Sequence, residues 1–184
     1  RSDYVEAHNN LGVIFQELGR LDKALTSYSL AITLKPDFAE AHSNLGATLK
    51  ELGRLDEAVA SYSRAIALKP DFAEAYINLG VAIKNIRFES SNPKLYTSLT
   101  QLLTDGNFTR PKDVAKSILS LLKQDTQIKN LLLKKNYTVS LNEITSIIRS
   151  LDKFLPLHHL MRTCPLPELP FEELFIVIRS VLLK

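Results

Sequence analysis

Glu6-Ala7-His8-Asn9-Asn10-Leu11-Gly12 returns as Glu40-Ala41-His42-Ser43-Asn44-Leu45-Gly46, an offset of 34 residues, and Glu74-Ala75-Tyr76-Ile77-Asn78-Leu79-Gly80 follows 34 further on. Lys35-Pro36-Asp37-Phe38 likewise returns as Lys69-Pro70-Asp71-Phe72. A fixed period of this size marks a stacked array of small units, none of which can bury its apolar face alone.

Each unit reads as helix, short turn, helix. Ala7, Leu11, Ile14, Phe15 and Leu18 are spaced by threes and fours and make one helical stripe. Gly19 then stands where a helix needs a left-handed C-terminal residue. Asp22 is expected to cap a second helix with a stripe of Ala24, Leu25, Tyr28, Ala31 and Ile32. Pro36 stops that helix, and Asp37 is expected to cap the next. Small residues at Gly12, Ala24 and Ala31 allow the paired helices to approach closely.

Leu11-Gly12, Phe15, Gly19, Ala24, Tyr28, Ala31 and Pro36 resemble the tetratricopeptide repeat (TPR) signature. Leu45-Gly46, Leu49, Gly53, Ala58, Tyr62, Ala65 and Pro70 match it again in register. His8, His42 and Tyr76 stand where the signature prefers Trp, and the two histidines are expected to pack there. The resemblance covers residues 1 to about 86. It implies an all-α solenoid of about two and a half repeats, followed by an α-helical domain or extended cap. The array is assigned to residues 1–88, with units 5–38 and 39–72 and a partial unit 73–88. A loop and capping helix are assigned to 89–104, and a helical domain to 105–184. Ser2-Asp3-Tyr4-Val5 aligns with Pro36-Asp37-Phe38-Ala39, and Phe171 to Lys184 lacks a stop signal, so the chain reads as an excerpt of a longer protein.

The third unit breaks after its first helix, where Ile86-Arg87-Phe88-Glu89-Ser90 replaces the turn glycine. A helix is expected from Pro93 to Leu103. Pro111 suits a first helical position, with Val114, Ile118, Leu121 and Leu122 at helical spacing behind it. Asp125 and the capping box Ser140-Leu141-Asn142-Glu143 are expected to start two more helices, and Phe171 to Leu183 a last one. Residues 102–111, with Leu157-His158-His159-Leu160-Met161 and Cys164-Pro165-Leu166-Pro167, resemble a helical segment in some bacterial multidomain TPR proteins. In those proteins the segment links the repeats to a catalytic domain, often a methyltransferase.

Composition bounds the function. Hydrophobic content of 45% and charged content of 23% are those of a globular chain, and no apolar run reaches the roughly 18 residues that cross a bilayer. One cysteine, Cys164, leaves no internal disulfide or thiolate cluster and fits a reducing, cytoplasmic setting. The net charge is +3, with −1 on residues 1–88 and +4 on 89–184, and the lysines are scattered rather than gathered into the stripe that nucleic acid requires. Neither nucleic acid nor membrane is expected as a partner.

No glycine-rich phosphate loop, catalytic triad or metal-ligand pattern stands out, so no catalytic residue, cofactor or metal is assigned. His158 and His159 are adjacent and point apart on a helix, and zinc needs about four ligands. Cys164 reads as a small hydrophobe. Asn107-Phe108-Thr109 and Asn136-Tyr137-Thr138 match a glycosylation sequon that chance often produces.

The recurring asparagines carry the functional expectation. In a TPR array the first helix of each unit lines the concave face, which would place Asn10, Asn44 and Asn78 there one repeat apart. A carboxamide donates and accepts at once, so such a ladder can hold an extended peptide by its backbone. This is similar to the groove of the TPR region in O-linked N-acetylglucosamine transferase. The alternative is bonding within the repeats. Glu6, Glu40 and Glu74 form a parallel acidic row, as groove residues or as helix-start charges that suit the dipole. Gln16, Lys50 and Lys84 lie further along. Some TPR proteins clamp a chaperone's C-terminal carboxylate with Lys, Asn and Arg. Asn9, Asn10, Asn44, Glu74 and Asn78 supply few cations for that. The expected function is protein or peptide binding in the groove. The competing reading is a recruiting arm of a methyltransferase or glycosyltransferase, and a third is self-association through the exposed repeat end.

Overall fold

In a computed structural model, residues 2–84, 86–104, 108–126, 129–130 and 156 are described. Every regular element among them is helical. The chain divides into two compact units, Arg1–Ile86 and Arg87–Lys184.

The first unit is a run of antiparallel helices: α1 (Ser2–Glu17), α2 (Leu21–Leu34), α3 (Ala39–Glu51), α4 (Leu55–Leu68) and α5 (Ala73–Ile83). The α1–α2 turn is set by Gly19, whose φ is +67°. Gly19 N–H donates to Gln16 O at 2.9 Å and Arg20 N–H to Phe15 O at 2.8 Å, the paired bonds of a Schellman motif. Gly53, with φ +74°, repeats it through Lys50 O and Leu49 O. A Cβ at Gly53 would meet no atom within 4 Å. Gly53→Ala therefore costs only left-handed strain, about 1 kcal/mol, read as a shift of the urea midpoint with unchanged slope.

That turn also overturns the capping expectation. Arg20 ends the Schellman motif of α1 and is already the N-cap of α2, as Arg54 is for α4. No residue is left between the helices for an aspartate cap. Asp22 and Asp56 fall inside the first turn, where their charge suits the helix dipole. Phe38, not Asp37, is the N-cap of α3, and none of these caps makes a side-chain hydrogen bond.

The paired helices meet at glycine. A Cβ on Gly12 would stand 2.5 Å from Tyr28 Cε1, and one on Gly46 2.9 Å from Tyr62 Cδ1. Both rings are fully buried. Ala24, Ala31, Ala58 and Ala65 complete the close contact from α2 and α4. Between units, Val5, Ala31 and Ala41 form a cluster with Ile32 and Phe38 against it, so α2 covers the face of α3 that begins the second repeat. The same face of α1 is open: Ile14 is 51% exposed, whereas its equivalent Thr48 is 0%. Leu11 and Leu18 are exposed beside it.

In the second unit the segment from Pro93 opens as a tight 3-10 turn, Pro93–Leu95, and becomes α-helical only at α6 (Tyr96–Thr104). Pro111 is the first residue of α7 (Pro111–Leu122). Leu99, Leu102, Leu103, Val114, Ile118, Leu119, Leu121 and Leu122 are buried. The backbone of Phe88 is held from both sides: its N–H donates to Ser120 Oγ at 2.9 Å and its C=O accepts from Gln124 Nε2 at 3.2 Å. The helices expected at residues 140–151 and 171–183, His158, His159 and Cys164 lie outside the described residues. So does much of the stretch resembling the methyltransferase-linked segment.

Candidate partner-binding face

The repeat period brings α1, α3 and α5 side by side as the first helices of their units. Helical spacing places Glu74, Ile77, Asn78 and Val81 on one stripe of α5. The equivalent stripes are Glu6, Asn9, Asn10 and Val13 on α1, and Glu40, Ser43, Asn44 and Ala47 on α3.

The three ladder asparagines are not equivalent. Asn10 is exposed. Asn44 is half-buried and donates through Nδ2 to Asn9 Oδ1 of α1 at 3.1 Å. Its own Oδ1 and second N–H make no other hydrogen bond among the described residues. Asn78 is half-buried and makes no side-chain hydrogen bond among the described residues.

Sequence reasoning placed Gln16 near the face but missed its role as a junction. Its Nε2 donates to Glu51 Oε1 at 2.5 Å. Its Oε1 accepts from Tyr28 OH at 3.1 Å and lies 3.2 Å from the Thr48 hydroxyl. One side chain thus ties α1 to α2 and α3. Burial, then the carboxylates of Glu51 and Glu17, push the Tyr28 phenol up to about 12, so it remains a donor.

Lys50 occupies the equivalent of Gln16 in the next unit and carries donors only. Tyr62 OH, the counterpart of Tyr28 OH, is buried with no hydrogen-bond partner among the described residues. Burial, Glu51 and Glu74 raise its pKa too.

Within the glutamate row, Glu40 accepts from Lys69 Nζ at 3.2 Å. Burial pushes its carboxyl up, but backbone and Lys69 hydrogen bonds outweigh that and hold it below the ordinary carboxylate value. Glu6 and Glu74 are exposed and form no ion pair among the described residues. Lys50 is half-buried and Lys84 exposed. No group of three or more His, Cys, Asp and Glu among the described residues could hold a metal ion, and no helix there is long and apolar enough to cross a membrane.

Two of the three residues at the Trp position act as donors. His42 Nε2 lies 3.1 Å from Pro36 O, and Tyr76 OH donates to Pro70 O at 3.1 Å, each tying a helix to the turn before it. Burial holds the His42 pKa below the ordinary 6.5, against the pull of the Pro36 carbonyl. As pH falls through about 6.5 the unfolded chain takes up the proton before the folded one does. Stability is therefore full above that range and declines toward the lower folded-state pKa. His42→Gln should flatten the profile of melting temperature between about pH 7.5 and 5.5.

The TPR repeat family model matches residues 15–53 and 48–86. No curated protein matches the chain. Among solved structures the chain is similar to the first TPR of Spaghetti (RPAP3) bound to the HSP90 peptide SRMEEVD. Identity there is 16%, coverage 83% of this chain and 96% of that one, and the TM-score 0.45. It is also similar to the TPR2B domain in a pHsp70 complex of yeast Sti1, with 18% identity, 86% and 97% coverage, and a TM-score of 0.44. Over residues 15–86, which hold the Gly19 and Gly53 turns and the close contact at Gly46, this chain carries tetratricopeptide repeats.

Proposed function

We propose that the first unit is a protein-interaction module that holds an extended peptide across α1, α3 and α5. Asn10, Asn44 and Asn78 bond the peptide backbone, with Asn9 orienting Asn44. Glu6, Glu40, Glu74, Lys50 and Lys84 border the site and set its charge. The observation that carries this reading is a carboxamide at the same point of three consecutive first helices, with bonding capacity left over at each. Backbone capture of this kind is insensitive to ligand side chains, which suits an interaction module more than an enzyme.

The test is capture of partners from a cell lysate by the native chain and by its Asn10→Ala/Asn44→Ala/Asn78→Ala form, with helicity checked by circular dichroism. Each lost hydrogen bond is worth about 1 kcal/mol, so retained partners should lose roughly 100-fold in affinity. Equal retention by a folded variant sinks the proposal.

A further inference from the structure

The two junctions of the first unit share a frame but differ in polar bookkeeping. Between α1 and α3 the groups bond one another, Asn44 to Asn9 and Gln16 to Tyr28 and Glu51. Between α3 and α5, Ser43 stands in place of Asn9, Lys50 in place of Gln16 and Ala82 in place of Thr48. Asn78 has no carboxamide at the position equivalent to Asn9 and makes no side-chain hydrogen bond among the described residues, which do not include the counterpart of Glu51.

Next to Asn78 the α5 stripe is apolar. Ile77 is 48% exposed and Val81 57%, one helical turn apart, where α3 carries Ser43 and Ala47. One turn before Ile77 stands Glu74, exposed and free of any ion pair among the described residues, whereas its counterpart Glu40 is held by Lys69. An aliphatic pair, a carboxamide with open valences and an open carboxylate therefore share one helix face.

We infer that this stripe is the side-chain-reading subsite of the groove: Ile77 and Val81 receive a large apolar side chain of an extended peptide, and Glu74 pairs with a basic side chain beside it. The inference rests on the peptide-binding reading above and adds the ligand class to it. Charge decides the neighbour, because an acidic residue there would meet Glu74. The midpoint of Ile77 and Val81 lies five residues along the helix from Glu74, about 7.5 Å. That is the span of about two residues of extended chain, so the basic and apolar residues of the ligand stand one or two places apart. Asn78, between them on the same face, bonds the intervening backbone.

The test uses the full chain and three labelled nonapeptides in fluorescence anisotropy: one of Gly and Ser only, one with a central Leu, and one with that Leu and an adjacent Lys. Leu should tighten binding about ten-fold or more, and Lys should tighten it further. Ile77→Ser/Val81→Ser should erase the Leu gain and keep the Gly/Ser affinity, and Glu74→Gln should erase the Lys gain alone. All three side chains are exposed, so the variants keep their fold, as helicity will verify. Equal affinity of the native chain for all three peptides overturns the inference. So does a Leu preference that survives in the serine variant. The triple asparagine variant separates this from the parent reading. If it loses the Gly/Ser peptide while the native chain ignores Leu, backbone capture stands and the subsite falls. If it binds every peptide as the native chain does, and the serine variant loses the Leu gain, the subsite stands and backbone capture falls. Binding of none of the peptides overturns both.

Discussion

Tyr62→Ala will destabilise the first unit by about 3–5 kcal/mol, the cost of emptying an aromatic site in a packed interior, whereas Tyr62→Phe will leave it unchanged or about 1 kcal/mol more stable. The ring is fully buried against Gly46, so truncation leaves a void between α3 and α4. The hydroxyl is another matter. It is buried without a partner among the described residues, and removing an unsatisfied polar group returns its desolvation cost. Tyr28→Phe should move the other way, losing about 1 kcal/mol, because that hydroxyl is bonded to Gln16. Chemical denaturation of the two phenylalanine variants gives opposite signs if the difference between Gln16 and Lys50 is the cause. Equal effects would refute it. Lys50→Gln, which restores an acceptor, should stabilise the native chain and do nothing for Tyr62→Phe.

Gly46→Val should cost about 2–3 kcal/mol even though valine outranks glycine as a helix former. Its Cβ alone would stand 2.9 Å from two ring carbons of Tyr62, and two methyls follow. The ring cannot retreat, being enclosed on all sides. In a Tyr62→Ala background the same valine enters the vacated space, so its cost should fall or reverse. A double-mutant cycle reads this as a coupling of about 1–3 kcal/mol. Strict additivity would show that the close approach of α3 and α4 does not depend on this pair.

Much of this fold was legible because its determinants repeat and act locally. The 34-residue period, the left-handed glycines, the prolines and the small residues at the helix crossing each work within a few positions of themselves. The Asp22 cap was misread for a geometric reason: one arginine ends the first helix and starts the second, and no spacing rule reveals that economy. The asparagine row was visible as a recurrence. Its unequal use was not, since the Asn44 bond depends on Asn9 in the preceding unit and the next unit offers Ser43 instead. Tyr62 looked like a second Tyr28 until the residue opposite each hydroxyl was known. Ile77 and Val81 carry no mark in the repeat pattern, and only the packing sets them at the surface.

The cover that α2 gives to α3 bears on how such a chain changes over generations. The seam at Lys35-Pro36-Asp37-Phe38 recurs almost letter for letter at Lys69-Pro70-Asp71-Phe72. An in-frame duplication or deletion between these seams joins one helix pair to another across a contact it already makes. Near-identical neighbours invite unequal recombination, and the product keeps a contact that the array already makes. Array length is thus a trait that a single genetic event can alter without inventing a new interface.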